Sequence, residues 1–397
     1  MKIGIVGGGA SGALVAAHLV RSGLPKDAIS IFDRSGFVGS GAAYGASTEN
    51  YLLNVPAGKM SAYADEPSHF ADWLVQRGLG IEVEVSAKFV ARQRYGQYLR
   101  DLIQDVSVIS EEVSLIEFRS GQFKIGDRDF DHLVLALGNA EPTLPPQFTR
   151  FKDHPGFRKS TWRNLPAEIR SDDRVLIIGT GLTMLDALCE LSARGFRGQV
   201  TAVSRHGFLP QPHQPTTPVP YTGTTTLRTI LKYIRKAEDW RAAIDGLRPT
   251  SQKIWKEFSL REKRQFLRHA RPYWEVHRHR APAQTYQLAQ DWIRTGQLSI
   301  HLAANFDPGQ SSFDWVFNAT GPNQRLASRA VPIIESLVER GLASYDELSL
   351  GLDPFSLNPG LHAIGTLTLG TLWECTAVPD IRNQAAAIAA RILQARP

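Results

Sequence analysis

Residues 3–19 read IGIVGGGASGALVAAHL. A short apolar run with β character, Ile3 to Val6, enters Gly7-x-Gly9-x-x-Gly12 and leaves as a helix-like pattern of small and apolar residues. That order has a physical use. Gly7 permits a tight turn, Gly9 lets backbone N–H groups approach a pyrophosphate, and Gly12 lets helix and strand pack closely, with the anion at the helix N-terminus. A second strand, Ile29 to Phe32, ends at Asp33, 21 residues after Gly12. A carboxylate there suits a ribose 2′-hydroxyl. The stretch predicts a β–α–β dinucleotide-binding unit and an α/β fold of the doubly wound, Rossmann-like kind.

The pattern recurs. Asp173 to Ile178 runs into Gly179-Thr180-Gly181, a helix of small and apolar residues follows, and the strand Gln199 to Val203 ends in Ser204-Arg205-His206. Met184 stands where a third glycine is expected, which predicts looser helix–strand packing. Arg205 replaces the acid; an arginine there can pair with a 2′-phosphate and favours NADPH over NADH, the alternative being a solvated surface residue. Two further strands end on glycine turns, Leu133 to Leu137 into Gly138 and Asp314 to Phe317 into Gly321, and a proline-rich link over 141–146 reads as a crossing between domains. Gly36 to Gly45 is too glycine-rich for regular structure, and residues 51–62 read as a flavin-facing loop. Near the end, a strand reaches Gly365, and Pro379-Asp380 opens a C-terminal helix whose N–H donors suit an electron-rich flavin edge. The expected organisation is two doubly wound domains. The FAD-binding domain is discontinuous, 1–145 and 315–397. The NAD(P)H-binding domain spans 146–314, with a helical basic insertion at about 222–282.

Composition narrows the classes. With 43% apolar and 21% charged residues, the 397-residue chain is globular in type. Its two cysteines, Cys189 and Cys375, form no CxxC pair, so a redox dithiol and a disulfide framework are excluded. His277-x-His279 lacks a third ligand, so no metal is expected. The start, Lys2 before an apolar run, mimics a secretory signal, but its glycines are spaced for a turn, and no apolar run is long enough for a bilayer. A cytoplasmic location is the expectation. The net charge of +6 is concentrated in residues 253–280, with nine Lys and Arg against three Asp and Glu, which leaves the rest of the chain balanced. Such a segment could bind nucleic acid or an acidic partner; the preferred reading is a surface that attracts a phosphorylated cofactor or anionic substrate.

Taken together, GGGASG at the N-terminus, LLNVPAGKMSA (52–62), GTGLTMLD (179–186), SRHGFLPQ (204–211), RPYWEVHRHRAP (271–282) and LWECTAVPDIRNQA (372–385) make the chain resemble a bacterial FAD/NAD(P)-binding flavoprotein family. That family has two dinucleotide-binding domains and is distantly akin to flavin-dependent amino-acid N-hydroxylating monooxygenases. The resemblance implies FAD at the first unit and NAD(P)H at the second, and Met184 fits the family's own version of the fingerprint. The cofactor-binding candidates are Gly7, Gly9, Ser11, Gly12, Asp33, Arg34, Tyr44, Met60, Gly138, Gly179, Gly181, Arg205, Gly321, Gly365, Glu374 and Asp380. Asn54 and Lys59 are the catalytic candidates, with an exposed loop charge as the alternative for Lys59. Cys375 reads as a buried inert thiol rather than a redox group, and Trp373 and Trp255 as core aromatics. The expected activity is oxidation of NADPH through FAD, with oxygen as acceptor and a flavin hydroperoxide hydroxylating a small amine or amino acid. Two alternatives stand beside it: a flavin oxidase or dehydrogenase with a degenerate NAD(P) unit, and a non-enzymatic FAD-dependent sensor or nucleic-acid binder.

Overall fold

The computed structural model describes residues 1–395 apart from 163, 310–311 and 327–330. The chain starts as β1 (Ile3–Val6), turns into α1 (Ala10–Arg21) and returns as β2 (Ile29–Phe32). After a loop come α2 (Gly41–Tyr44), α3 (His69–Val75), α4 (Glu82–Ala87) and α5 (Arg92–Leu102). Strand β3 (Ser107–Ile109), the antiparallel trio β4 (Glu117–Arg119), β5 (Gln122–Ile125) and β6 (Arg128–Phe130), and β7 (His132–Leu135) follow. The next stretch holds β8 (Phe157–Arg158), β9 (Val175–Ile178), α6 (Leu182–Ala193) and β10 (Val200–Ser204). A helical insertion contains α7 (Leu227–Lys236), α8 (Trp240–Leu247), α9 (Ser251–Glu257), α10 (Leu260–Gln265) and α11 (Arg271–Arg278). Then come α12 (Ala283–Arg294), β11 (Leu298–Leu302), β12 (Trp315–Asn318), α13 (Pro332–Glu339), β13 (Leu361–Ala363) and α14 (Val378–Gln394).

The chain divides into two units, one of residues 1–45, 55–140 and 324–397, the other of 46–54 and 141–323. Among the described residues, the first unit is built on a five-stranded parallel sheet, β13-β7-β1-β2-β3, with Ile3 opposite Ile29 and His132. The second carries a parallel sheet of order β11-β10-β9-β12-β8, with Val175 opposite Val200 and Trp315. Strands β1 and β9 are buried throughout, which explains why both read as unbroken apolar runs rather than alternating ones. The trio β7-β1-β2 corresponds to β12-β9-β10, so the unit occurs twice.

Two boundaries differ from those expected. Trp315 to Asn318 forms β12 and pairs with β9 and β8, so the stretch through residue 323 belongs to the second unit and not to an FAD domain beginning at 315. Residues 46–54 also belong to the second unit. The carboxylate of Glu190 on α6, itself buried, accepts from the Thr48 hydroxyl (2.6 Å) and the Asn50 amide (2.9 Å). Asn164 makes a reciprocal pair with Ser47. The loop 36–45 is also not wholly irregular, since it closes with the single turn α2. No helix among the described residues is long and apolar enough to cross a membrane.

Candidate functional site

In the first unit the glycine spacing is enforced by backbone contact. Gly7 adopts φ +106°, and a Cβ there would fall 2.2 Å from the carbonyl oxygen of Ala136, just beyond β7. A Cβ on Gly12 would lie 2.0 Å from the Gly7 carbonyl oxygen, so the first turn of α1 is in contact with the turn that precedes it. Gly9 is different: it caps α1 in an extended conformation, and only Gly41 comes near its would-be Cβ, at 3.5 Å. The first-turn N–H groups of α1 have no carbonyl partners of their own, which suits an anion.

The ends of neighbouring strands gather around this turn. Asp33 accepts from the Gly8 N–H (2.9 Å) through one oxygen and from the Ser35 N–H (2.9 Å) through the other, which fixes its carboxylate beside the glycines. Gly39 donates to the Gly8 carbonyl (2.7 Å) and folds the following loop back over the turn. Gly138, at φ +67°, accepts from the Thr366 hydroxyl through its carbonyl. Gly365, at φ +69°, approaches Ser11 so closely that a Cβ would meet its Oγ at 3.2 Å. The carboxyl edge of the sheet thus brings Gly7, Gly9, Ser11, Gly12, Asp33, Gly138 and Gly365 together.

The other candidates of this unit are placed as follows. Arg34 is exposed, 3.8 Å from Glu112. Tyr44 ends α2, edge-on to Tyr95 at 4.8 Å, and burial pushes its hydroxyl up to about 12. Met60 is buried, following a short turn, Ala57–Lys59, on which Lys59 is exposed. Glu374 is buried, and Asp380 occupies the first turn of α14, where a carboxylate complements the helix dipole. Cys375 is fully buried; burial raises its thiol far above the usual range, so no thiolate is available there. Trp373 is buried as a core aromatic would be. Not foreseen was the clamp on residues 61–62. The Ser61 carbonyl accepts from Arg382 (2.9 Å), the Ala62 N–H donates to the Tyr98 hydroxyl (3.1 Å), and the Ala62 carbonyl lies 3.1 Å from Nε2 of His18.

The second unit repeats the lock. Gly179 has φ +121°, and a Cβ would lie 2.2 Å from the Ala319 carbonyl oxygen beyond β12. Gly181 caps α6 in an extended conformation, with nothing within 4 Å of a would-be Cβ. That open cradle, at a helix N-terminus, fits a diphosphate. Met184 is fully buried in the core with Val175 and Ile177 and does not fill the turn. Both Met184 and Leu185 donate to the Gly181 carbonyl (3.0 and 3.3 Å), a tightened first turn that gives the longer side chain its space. Gly321, at φ +77°, is likewise open.

The residue between the glycines, Thr180, had no assigned part. Its hydroxyl lies 2.8 Å from Ser204 Oγ and donates to the Phe208 carbonyl (2.6 Å), bracing the loop after β10. Arg205 on that loop is exposed and makes no ion pair among the described residues. Asn54, expected with Lys59 on one flavin-side loop of the FAD domain, is assigned to the second unit, where His213 Nε2 lies 2.9 Å from its carbonyl oxygen. In the basic segment, Trp255 is core, His277 Nδ1 is 2.7 Å from the Tyr273 carbonyl, and His279 lies 3.3 Å from Glu275.

Residues 4–140 match the family model described as FAD-NAD(P)-binding, so the N-terminal region is an FAD/NAD(P)-binding domain. No protein of curated function matches the chain. Among solved structures, the reduced form of ornithine hydroxylase from Pseudomonas aeruginosa superposes with a TM-score of 0.66 at 16% identity, covering 99% of this chain and 98% of that one. Ornithine N-hydroxylase from Kutzneria sp. 744, solved with reduced FAD, NADP+ and L-ornithine, gives 0.61 at 16% identity and 99% coverage of both chains. Bacillithiol disulfide reductase from Staphylococcus aureus gives 0.56 at 16% identity, covering 100% of this chain and 99% of that one. At such identities the likeness establishes the fold alone.

Proposed function

We propose that this flavoprotein is an NADPH-oxidising monooxygenase that hydroxylates a small amine or amino acid, with oxygen as the acceptor. The observation that carries this reading is the doubled glycine lock. Gly7 against Ala136 and Gly179 against Ala319 are two separate turns that a Cβ would close, which supports two diphosphate sites in one chain. In this reading the N-terminus of α1 takes the FAD diphosphate, and Asp33 takes a ribose hydroxyl. Gly181 and Arg205 take NADPH, the guanidinium pairing with the 2′-phosphate. FAD, when bound, supplies hydride acceptance and oxygen activation. The chain's own part is to bind, orient and exclude water. Asn54, with its carbonyl occupied by His213, and the exposed Lys59 are proposed as polar contacts for substrate or nicotinamide.

Cysteine chemistry supports hydroxylation over disulfide reduction. A dithiol relay needs two thiols and an accessible thiolate, and Cys375 is fully buried, which disfavours its thiolate. The test is the visible spectrum of the purified protein before and after anaerobic NADPH, followed by oxygen uptake across a panel of diamines and basic amino acids with product detection. Flavin bleaching by NADPH and substrate-coupled hydroxylation are expected. A colourless protein that refuses added FAD would end the proposal, and bleaching without hydroxylation anywhere in the panel would reassign it to an oxidase or reductase.

A further inference from the structure

We infer that the helical insertion supplies part of the adenosine site for NADPH, with Tyr273 of α11 extending a ring platform that begins next to Arg205; this rests on the proposed use of NADPH by the second unit. In a doubly wound unit the adenosine ribose lies at the carboxyl end of the second strand, here β10. The chain leaves β10 through Arg205 and His206 and turns at Gly207, whose φ is +65° and whose N–H donates to Ser204 Oγ (3.0 Å). The Phe208 carbonyl is held by Thr180 (2.6 Å), which ties this loop to the glycine turn itself. Two rings are thereby fixed within three residues of Arg205. His206 and Phe208 stack with centroids 5.3 Å apart and planes 17° from parallel.

The third ring arrives from residues far along the chain. Phe208 meets Tyr273 at 5.0 Å with the planes tilted by 49°. The insertion is fastened at this point by a short backbone ladder: Gln211 N–H to the Val276 carbonyl (2.8 Å), Ala281 N–H to the Gln211 carbonyl (2.9 Å) and His213 N–H to the Ala281 carbonyl (3.0 Å). Tyr273 is nevertheless 55% exposed, whereas Trp255, Phe258 and Phe266 of the same insertion are buried against one another. A rigid row of rings with open surface, adjoining in sequence a cation that has no carboxylate partner among the described residues, matches a purine base next to a phosphate. It also gives the positive insertion a use, since its charge raises the local concentration of a phosphorylated cofactor.

The test is calorimetric titration of the FAD-loaded full chain with 2′,5′-ADP and with 5′-AMP. Tyr273→Ala should weaken both by about tenfold, the scale of one lost base–aromatic stack, while Tyr273→Phe should stay within about twofold of wild type. His206→Ala should weaken both in the same direction, and Arg205→Ala should weaken 2′,5′-ADP alone. If wild type binds 2′,5′-ADP and both alanine ring variants leave the two dissociation constants unchanged, the platform is wrong and the NADPH reading survives. If wild type binds neither nucleotide, the NADPH reading fails and this inference with it.

Discussion

Gly12→Ala is the sharpest perturbation of the first unit. The added Cβ would stand 2.0 Å from the Gly7 carbonyl oxygen and 3.2 Å from Ile5 Cγ2, where ordinary contact begins at 3.4 Å. The closest neighbour is backbone, pinned because Gly7 N–H donates to the Phe32 carbonyl (2.8 Å) and Gly7 abuts Ala136. Relief therefore requires the start of α1 to retreat by roughly 1 Å, and overpacking of this kind costs about 1–3 kcal/mol. For a unit of this size that corresponds to a fall in melting temperature of roughly 2–12 °C. The larger effect is on the ligand, because the helix N-terminus proposed to hold the FAD diphosphate moves with the backbone, so flavin retention should fall. The assay is flavin content after purification together with thermal unfolding. A variant that purifies with full FAD and melts with wild type would refute the claim that Gly12 is required by close helix–turn packing.

Gly181→Ala should behave oppositely. No atom lies within 4 Å of the new methyl group and the backbone is extended, so melting should change little, while the NADPH concentration needed to bleach the flavin should rise about tenfold or more as the methyl obstructs the phosphate. Glu190→Gln should cost about 1–3 kcal/mol, because a carboxylate holding Thr48, Asn50 and Arg194 is replaced by an amide, and hydrogen exchange over residues 46–54 should quicken. Burial alone would raise the Glu190 carboxyl, but bonds from Thr48, Asn50 and Arg194 outweigh it and hold the group below its ordinary range; the stability it confers is present above that range and disappears as pH falls through it. His362, lowered to about 4 by burial and then by His132 and Arg391, works over a higher window. The unfolded chain takes up that proton near 6.5, so urea midpoints should drop between pH 6.5 and 4 by an equivalent of at most roughly 3 kcal/mol, and His362→Gln should flatten this limb. Thiol labelling of the native protein should reach Cys189 and spare Cys375 until denaturant is added; rapid native labelling of Cys375 would contradict its burial.

The doubled fold was legible because each unit turns on a local demand that a sequence records directly. Gly7 and Gly179 must take a positive φ against a neighbouring carbonyl, and a buried parallel strand must be apolar without interruption. Membership of a sheet is not local, and no residue pattern records it. Trp315 to Asn318 announces a strand, yet its register with Val175 to Ile178 depends on partners 140 residues away. The segment 46–54 carries no periodicity; Thr48 and Asn50 belong with Glu190 only through bonds formed after folding. Asn54 joins the second unit for the same reason.

Met184 shows how a sequence departure resolves into a structural compensation. A third glycine is needed only if the helix begins with the geometry of α1, where Ala13 N–H donates to the Gly9 carbonyl. In α6 the matching bond from Leu185 is joined by one from Met184 itself to the Gly181 carbonyl, and the Met184 side chain enters the core with Ile177. The helix starts differently while Gly181 remains open, so the loss of one glycine does not remove the cradle. The weight of the second fingerprint therefore rests on Gly179, Gly181 and Thr180. Of these, Thr180 is the residue whose part no spacing rule announces, since its hydroxyl acts on Ser204 and Phe208, 24 and 28 residues on.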